Sequence, residues 1–454
     1  MKKVYQSGLI LMLGVASLFA NEFLKNLPEN SWYEVPNSNL TKVGAPDVGQ
    51  YAVSGPKGVT AFSGGAYDPI HKRFIVFGGG HADYAGNELY HFEMDSLKWV
   101  RFTEPDTFLQ SDNNVEPNRY GRPISRHTYD GLAYIKHADR FFAFGGAMSL
   151  SGWSTNTTWT FNPNNKTWQY MQPTGTLPGS EYDLSCAYDE VTKNIYLVST
   201  AHLFKYSYDE NKWTRIYEWW QNNSGEKQAF LDTKRRRFVV RAKSGYYKAW
   251  DIDSSKTVAP FVFTGDSVCM TTTAPVNIDY DQKADKYLGI YSDGVVFIAD
   301  PDSLIWRRKT TTGGPTNTGW IFGNRWCYIA EDNVFFCMTN DANANVWFYK
   351  HTSNSSSRSE ISVNKGAIAN VSVAPLPISN SANVMISFAG RINKLTKLQM
   401  IDVTGKVLSN LKYMVESGNS ISAKINAKNI VPGTYYVKAV TDRGTIVKRI
   451  AVVR

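Results

Sequence analysis

The sequence predicts an all-β protein, a six-bladed β-propeller followed by a small C-terminal β-sandwich. Three observations predict it. A pattern of four short strands separated by turns returns about every 40–50 residues, the spacing of propeller blades. The last copy stops one strand short, while a lone strand-like segment stands near the N-terminus. A polar, low-complexity stretch then separates this array from a second set of alternating strands.

The chain opens with the basic Met1-Lys2-Lys3, an apolar run from Leu9 to Ala16, and Ser17-Leu18-Phe19-Ala20. A basic start, a short apolar core and a small closing residue describe a secretory signal peptide over residues 1–20, cleaved near Ala20. The run falls far short of the ~20 apolar residues that span a bilayer, and no later segment reaches that length, so no membrane span is expected.

The propeller is expected over residues 21–352. Its first copy reads Gly64-Gly65-Ala66-Tyr67-Asp68, Arg73-Phe74-Ile75-Val76-Phe77-Gly78-Gly79, Leu89-Tyr90-His91-Phe92 and Lys98-Trp99-Val100. The second runs from Asp130-Gly131-Leu132 through Phe141-Phe142-Ala143-Phe144-Gly145-Gly146 to Lys166-Thr167-Trp168, and the third ends at Lys212-Trp213. Weaker copies begin at Phe230-Leu231-Asp232, Ile278-Asp279-Tyr280 and Trp326-Cys327-Tyr328. The sixth ends at Val346-Trp347-Phe348-Tyr349 and lacks a fourth strand. Ser31-Trp32-Tyr33-Glu34 is expected to supply it, closing the ring without an open edge. The alternative is seven blades, with the extra one in the loop 104–125, which offers few strand-like runs.

The strand-end pairs Gly78-Gly79 and Gly145-Gly146, with Trp99, Trp168 and Trp213 in the outer strands, resemble kelch repeats. The resemblance is sharp in two or three blades and implies the fold alone.

Residues 353–374, opening with Ser353-Asn354-Ser355-Ser356-Ser357, are expected to form a linker. Beyond it, Leu398–Val403, Ile421–Ile425, Tyr435–Val440 and Ile446–Val453 alternate like strands, which predicts a sandwich over residues 375–454. Three stretches carry a further likeness: Met400-Ile401-Asp402-Val403-Thr404-Gly405-Lys406, Pro432-Gly433-Thr434-Tyr435-Tyr436-Val437-Lys438, and Lys448-Arg449-Ile450-Ala451-Val452-Val453. They resemble the C-terminal sorting domain of the type IX secretion system. That resemblance implies a secreted or outer-surface protein, exported through the periplasm, with the secretion machinery as a partner. The family's opening Pro-Asn-Pro-like turn is here Pro375-Leu376-Pro377-Ile378, which leaves the boundary open. A carbohydrate-binding or fibronectin-like accessory module is the alternative.

The formal charge of +9 does not indicate a nucleic-acid partner. Residues 391–454 hold twelve Lys/Arg and three Asp/Glu, so the rest of the chain carries 37 of each sign and is neutral. A large domain without a basic footprint argues against nucleic acid. Cys186, Cys269, Cys327 and Cys337 form no CxxC pair, which argues against zinc. Cys327 and Cys337 lie in neighbouring strands and are either a disulfide or two buried thiols.

In a propeller, the segments leading into the first strands and the loops joining second to third strands share one face. Blade 1 brings His81, Asp83 and Tyr84 there. Blade 2 brings Arg119, Tyr120, Arg122, Arg126, His127 and Trp153, and blade 3 brings Tyr182 and His202. Later blades add Lys227, Arg241, Lys243, Trp320, Arg325 and Asn340. Arginine forks bind carboxylates and aromatic faces cover sugar rings, so an acidic polysaccharide or surface glycan is the expected partner. The fitting chemistry is β-elimination at a uronate, as in a polysaccharide lyase. His127 or His81 would take the proton, Tyr84 would protonate the leaving oxygen, and Arg126 would neutralise the carboxylate. Arg119, Arg122, Trp153, Tyr182, His202, Arg241 and Trp320 would bind substrate. No metal and no cofactor are expected. A non-catalytic glycan-binding or adhesion propeller needs the same face without a poised base. A copper radical oxidase shares the kelch fold but needs a Tyr–Cys crosslink and a histidine pair, and neither Cys186 nor Cys269 has an obvious one. Glycosidase chemistry needs two facing carboxylates, which nothing in the sequence pairs.

Overall fold

The computed structural model describes residues 23–43, 56–79, 84–148, 150–182, 184–218, 227–242, 245–271, 276–319, 321, 323–352, 370–374, 378–387, 395–402, 407–417, 420–441 and 444–453. The expected signal peptide and most of the expected linker lie outside these residues. The chain divides into two compact units, Met1–Ser353 and Asn354–Arg454.

Alternation in the central strands builds the first unit. Each such strand is buried on both sides, so nearly every position is apolar, with successive residues pointing to opposite neighbours. In Arg140–Phe144, Phe141 and Ala143 pack toward blade 1, and Phe142 and Phe144 toward blade 3. Six apolar clusters of this kind join blades 1–2, 2–3, 3–4, 4–5, 5–6 and 6–1, so the ring is closed.

The first strands of the six blades are Gly65–Asp68, Leu132–Ile135, Ser185–Asp189, Gln228–Asp232, Asn277–Asp281 and Trp326–Ile329. Each leads an antiparallel sheet in which the following strands are added outward. The sixth sheet is completed by Ser31–Glu34, paired antiparallel with Trp347–Lys350 in the register Trp32↔Tyr349. Trp32 packs on Trp326 and Tyr349 in the interface of blades 5 and 6. The loop 104–125 holds a 3-10 turn at Gln110–Asp112 and no strand. The propeller therefore has six blades.

Two features depart from the expected four strands per blade. Thr174–Gly175 adds in parallel to the outer strand of blade 3, and Thr264–Gly265 does the same in blade 5. Both belong to connections between blades that run along an outer edge and cover it. The glycine pair of blade 2 shows why the repeat demands glycine. Gly145 and Gly146 take φ of 66° and 101°, and a Cβ on Gly146 would stand 2.5 Å from the His127 carbonyl oxygen.

At the ends of the first strands, aspartates cap the turns and tie neighbouring blades. Asp189 receives Arg236 of blade 4, Asp232 accepts from the Tyr287 hydroxyl of blade 5 at 2.7 Å, and Asp281 meets His351 at 2.7 Å. All four cysteines are buried free thiols. Trp326 lies opposite Cys337, and Cys327 opposite Phe336, so the two sulfurs point to opposite faces of one sheet and cannot bridge.

The second unit is a sandwich of two four-stranded sheets. One orders Asn370–Ala374, Ser381–Ser387, Ser420–Asn426 and Tyr413–Ser417; the other orders Val407–Asn410, Leu395–Ile401, Gly433–Thr441 and Gly444–Val452. Their inward residues, among them Val384, Ile386, Met400, Ile421, Ile425 and Val437, form one core.

Candidate functional site

The upper face is the one on which the first strands begin. Most of the charged residues expected to meet substrate there are bound to the protein itself. Arg126 is 0 % exposed, and its guanidinium pairs with Glu116 and donates to the Gly145 carbonyl and the Thr157 hydroxyl. Glu116 in turn accepts from Thr157 at 2.6 Å and from the Ile124 amide at 3.0 Å. This network pins the long loop of blade 2 to its glycine turn. Arg126 is thus a structural cation, correcting its expected place against a substrate carboxylate.

Tyr84 is 1 % exposed and donates to Glu88 at 2.8 Å, as Tyr90 does at 2.7 Å. Burial and the adjacent carboxylate push the Tyr84 phenol far above its usual range, and burial raises Glu88 as well. An interior phenol so hard to ionise, hydrogen-bonded to Glu88, is a poor acid for a leaving group, which corrects the second assignment. His127 is 1 % exposed and lies beneath Phe62, with ring centroids 5.1 Å apart. Its backbone pairs with Ala147, so the histidine belongs to the wall and not to the surface.

Arg119 pairs with Asp112 at 2.9 Å and Arg122 with Asp106 at 2.7 Å, both within the loop that carries them. Arg241 is buried and donates to the Cys269 carbonyl; Arg325 is buried and donates to Thr339 O and Asn340 Oδ1. Lys227 is also buried. His202 is half-buried and opens the third strand of blade 3, His202–Ser207. His81, Asp83, Lys243 and Trp320 lie outside the described residues.

Aromatic residues remain at the surface. Trp153 is 70 % exposed at the tip of the blade 2 hairpin, where its carbonyl accepts from the Met148 amide. Phe62, Tyr129 and Tyr182 stand three residues before the first strands of blades 1, 2 and 3. In these three blades the repeat thus places one ring each at equivalent positions. The ring centroids are 6.0 Å apart from Phe62 to Tyr129 and 5.8 Å from Tyr129 to Tyr182, a continuous row across three blades. Phe62 and Tyr182 are exposed and Tyr129 is half-buried.

Phe62 and Tyr129 adopt left-handed backbones, with φ of 46° and 47°, which bulky residues rarely do. The Tyr129 amide donates to the Phe62 carbonyl at 2.8 Å, and Thr128 holds the Gly64 amide at 3.1 Å. Strain of this kind persists where surrounding structure over-determines it, commonly at ligand-contacting positions. Tyr182 was legible as a candidate; Phe62 and Tyr129 carried a signal too, as aromatics aligned with it in the repeat.

Beneath the row, polar side chains tie the first strands of successive blades together. Asp130 accepts from Ser185 and the Ala229 amide, while Gln228 donates to Asn277, whose amide reaches Ile321 O. Burial holds the Asp130 carboxyl well above the usual carboxylate range.

Residues 372–453 match the secretion system C-terminal sorting domain. The chain is therefore cargo of the type IX secretion system, secreted or attached at the outer surface. No helix among the described residues is long and apolar enough to cross a membrane. No curated protein matches the chain. Many solved structures resemble it, among them these two. One is a fungal alcohol oxidase of the AA5 family in complex with copper, at 13% identity and TM-score 0.38, covering 86% of this chain and 85% of that one. The other is a structural genomics protein of unknown function from Bacteroides thetaiotaomicron, at 9% identity and TM-score 0.42, covering 70% and 75%.

Proposed function

We propose that the propeller is an exported, non-catalytic glycan-binding module whose aromatic row holds sugar rings. The observation that supports this most is the continuity of Phe62, Tyr129 and Tyr182 across three blades. Aromatic faces cover the C–H surfaces of sugars, and rings held by strained, hydrogen-bonded backbone lose little entropy on binding. The cations once expected to choose an acidic sugar are committed to Glu116, Asp112 and Asp106. The reading therefore favours stacking over charge, and neutral or weakly acidic polysaccharides over highly charged ones.

A lyase remains as a second reading because Tyr182 and His202 both lie on blade 3 at this face. Glu181 accepts from the Thr200 hydroxyl and draws their two segments together. One experiment separates the two. The full chain is run through native gels containing neutral or acidic polysaccharides, while the same polysaccharides in solution are followed for the ultraviolet absorbance of an unsaturated uronate. Retardation without absorbance is the expected result. Absorbance that is lost in Tyr182→Phe or His202→Ala would replace the binding module with a lyase.

A further inference from the structure

On the lower face, where the first strands end, the channel opens as a cavity of about 560 Å³. Its wall is made by the repeat. Five blades place a tyrosine one residue after an equivalent strand position, as Tyr67, Tyr134, Tyr188, Tyr280 and Tyr328, and blade 4 places Leu231 there. Four of the hydroxyls are already engaged: Tyr134 with Asp139, Tyr280 with Asp285 at 2.9 Å, Tyr328 with Asn333 at 2.8 Å, and Tyr188 with His137 at 2.9 Å. The rings are fixed, and these hydroxyls are not open donors to a ligand.

The residue before each tyrosine lines the deeper layer. Blades 1, 2 and 3 hold alanine, blade 4 Phe230 and blade 6 Cys327; blade 5 alone holds a carboxylate, Asp279. Both Asp279 oxygens accept backbone amides, from Tyr280 and Tyr328, each at 2.7 Å. The two cations at the mouth are taken, Lys136 by Glu190 at 2.9 Å and Arg236 by Asp189. Among the described residues, no ion pair is made by Asp279 or by Glu331 at the rim. The cavity is thus aromatic-walled and acidic, with the Tyr67 and Thr233 hydroxyls and the Gln282 and Asn324 amides as its polar neutral groups. Burial pushes the Asp279 carboxyl up to about 7, so a compensating positive charge would stabilise its ionised form.

We propose that this funnel is a second binding site, for a small organic cation whose ammonium group meets Asp279 and whose alkyl part packs on the tyrosine rings. Cations gain by lying over aromatic faces, most where water is excluded. A neutral polyol fits less well, because it would bring no charge to compensate the Asp279 carboxylate. A hard metal ion fits less well too, since it asks for about six oxygen ligands and the deep layer supplies one carboxylate.

The test is calorimetric titration of the full chain with choline chloride, with myo-inositol as a neutral comparator of similar size. Choline is expected to bind saturably below about 10 mM, and myo-inositol not to bind. Asp279→Asn should weaken choline binding by about tenfold, the scale of one ion pair partly shielded from water. Leu231→Trp, which fills the funnel and leaves the carboxyl intact, should abolish it while thermal unfolding shows a folded chain. Absence of choline binding, equal binding of inositol, or unchanged affinity in either folded variant would overturn the proposal. None of these outcomes bears on the aromatic row of the opposite face.

Discussion

Two layers of the upper face differ in what their side chains are free to do. Just below the surface, the side chains of Arg126 and Glu116, and of Tyr84 and Glu88, are buried in two bonded pairs that hold loops against blades 1 and 2. At the surface, Phe62, Tyr182 and Trp153 are open to solvent. The difference follows from cost. A buried charge must be paired, and a polar residue near a loop corner satisfies that loop's own backbone before it meets any ligand. An aromatic ring carries no such obligation and is left available. Charged residues gathered on one face of a propeller are therefore weaker evidence of a site than aromatic ones in register.

The largest expected effect lies in the lower layer. Glu116→Ala strands the Arg126 charge in the interior and should cost about 3–5 kcal/mol in chemical denaturation. A loss below about 1 kcal/mol would mean that the pair is wet, and the contrast between the layers would fail. Next in size is a pH effect in the channel. Asp279 is raised to about 7 by burial, so its neutral form is favoured in the fold while the unfolded carboxyl ionises near its ordinary value. Its contribution is full at acid pH and is lost as pH rises through about 7. Stability measured from pH 5 to 8 should fall by about 2–3 kcal/mol from this group, and Asp279→Asn should flatten the profile. A slope unchanged in the variant would assign the dependence elsewhere.

In the surface layer, Tyr182→Ala should weaken polysaccharide binding by about tenfold, near 1.4 kcal/mol, while stability moves by less than about 0.5 kcal/mol. The smallest effect is at Arg122, whose pair with Asp106 is half-exposed. Arg122→Ala should change stability by less than about 1 kcal/mol and leave polysaccharide affinity unaltered. Lower affinity for acidic polysaccharides alone would restore charge to a recognition role on this face.

Much of the fold was legible because the central strands are apolar on both sides and recur at blade spacing. The ring closure was legible as well, since the sixth copy lacked a strand that Ser31–Glu34 could supply. The added strands Thr174–Gly175 and Thr264–Gly265 were not, because two residues carry no period. In the site, the pairing of Arg126 with Glu116 was hidden by its setting. The two sit ten residues apart in an irregular loop, where no spacing rule brings side chains together. Phe62 and Tyr129 were hidden differently: their positions follow from the repeat, but their left-handed backbones and mutual contact do not.

The central claim is that the aromatic row is the glycan site. Its most direct test is hydroxyl-radical footprinting of the full chain, read by mass spectrometry, with and without the polysaccharide that retards it most. Protection of Phe62, Tyr182 and Trp153 is the expected result, with Tyr217 on the outer strand of blade 3 and Val262 in the connection between blades 4 and 5 reacting as before. Protection confined to other surfaces, with these three rings reacting unchanged, would contradict it.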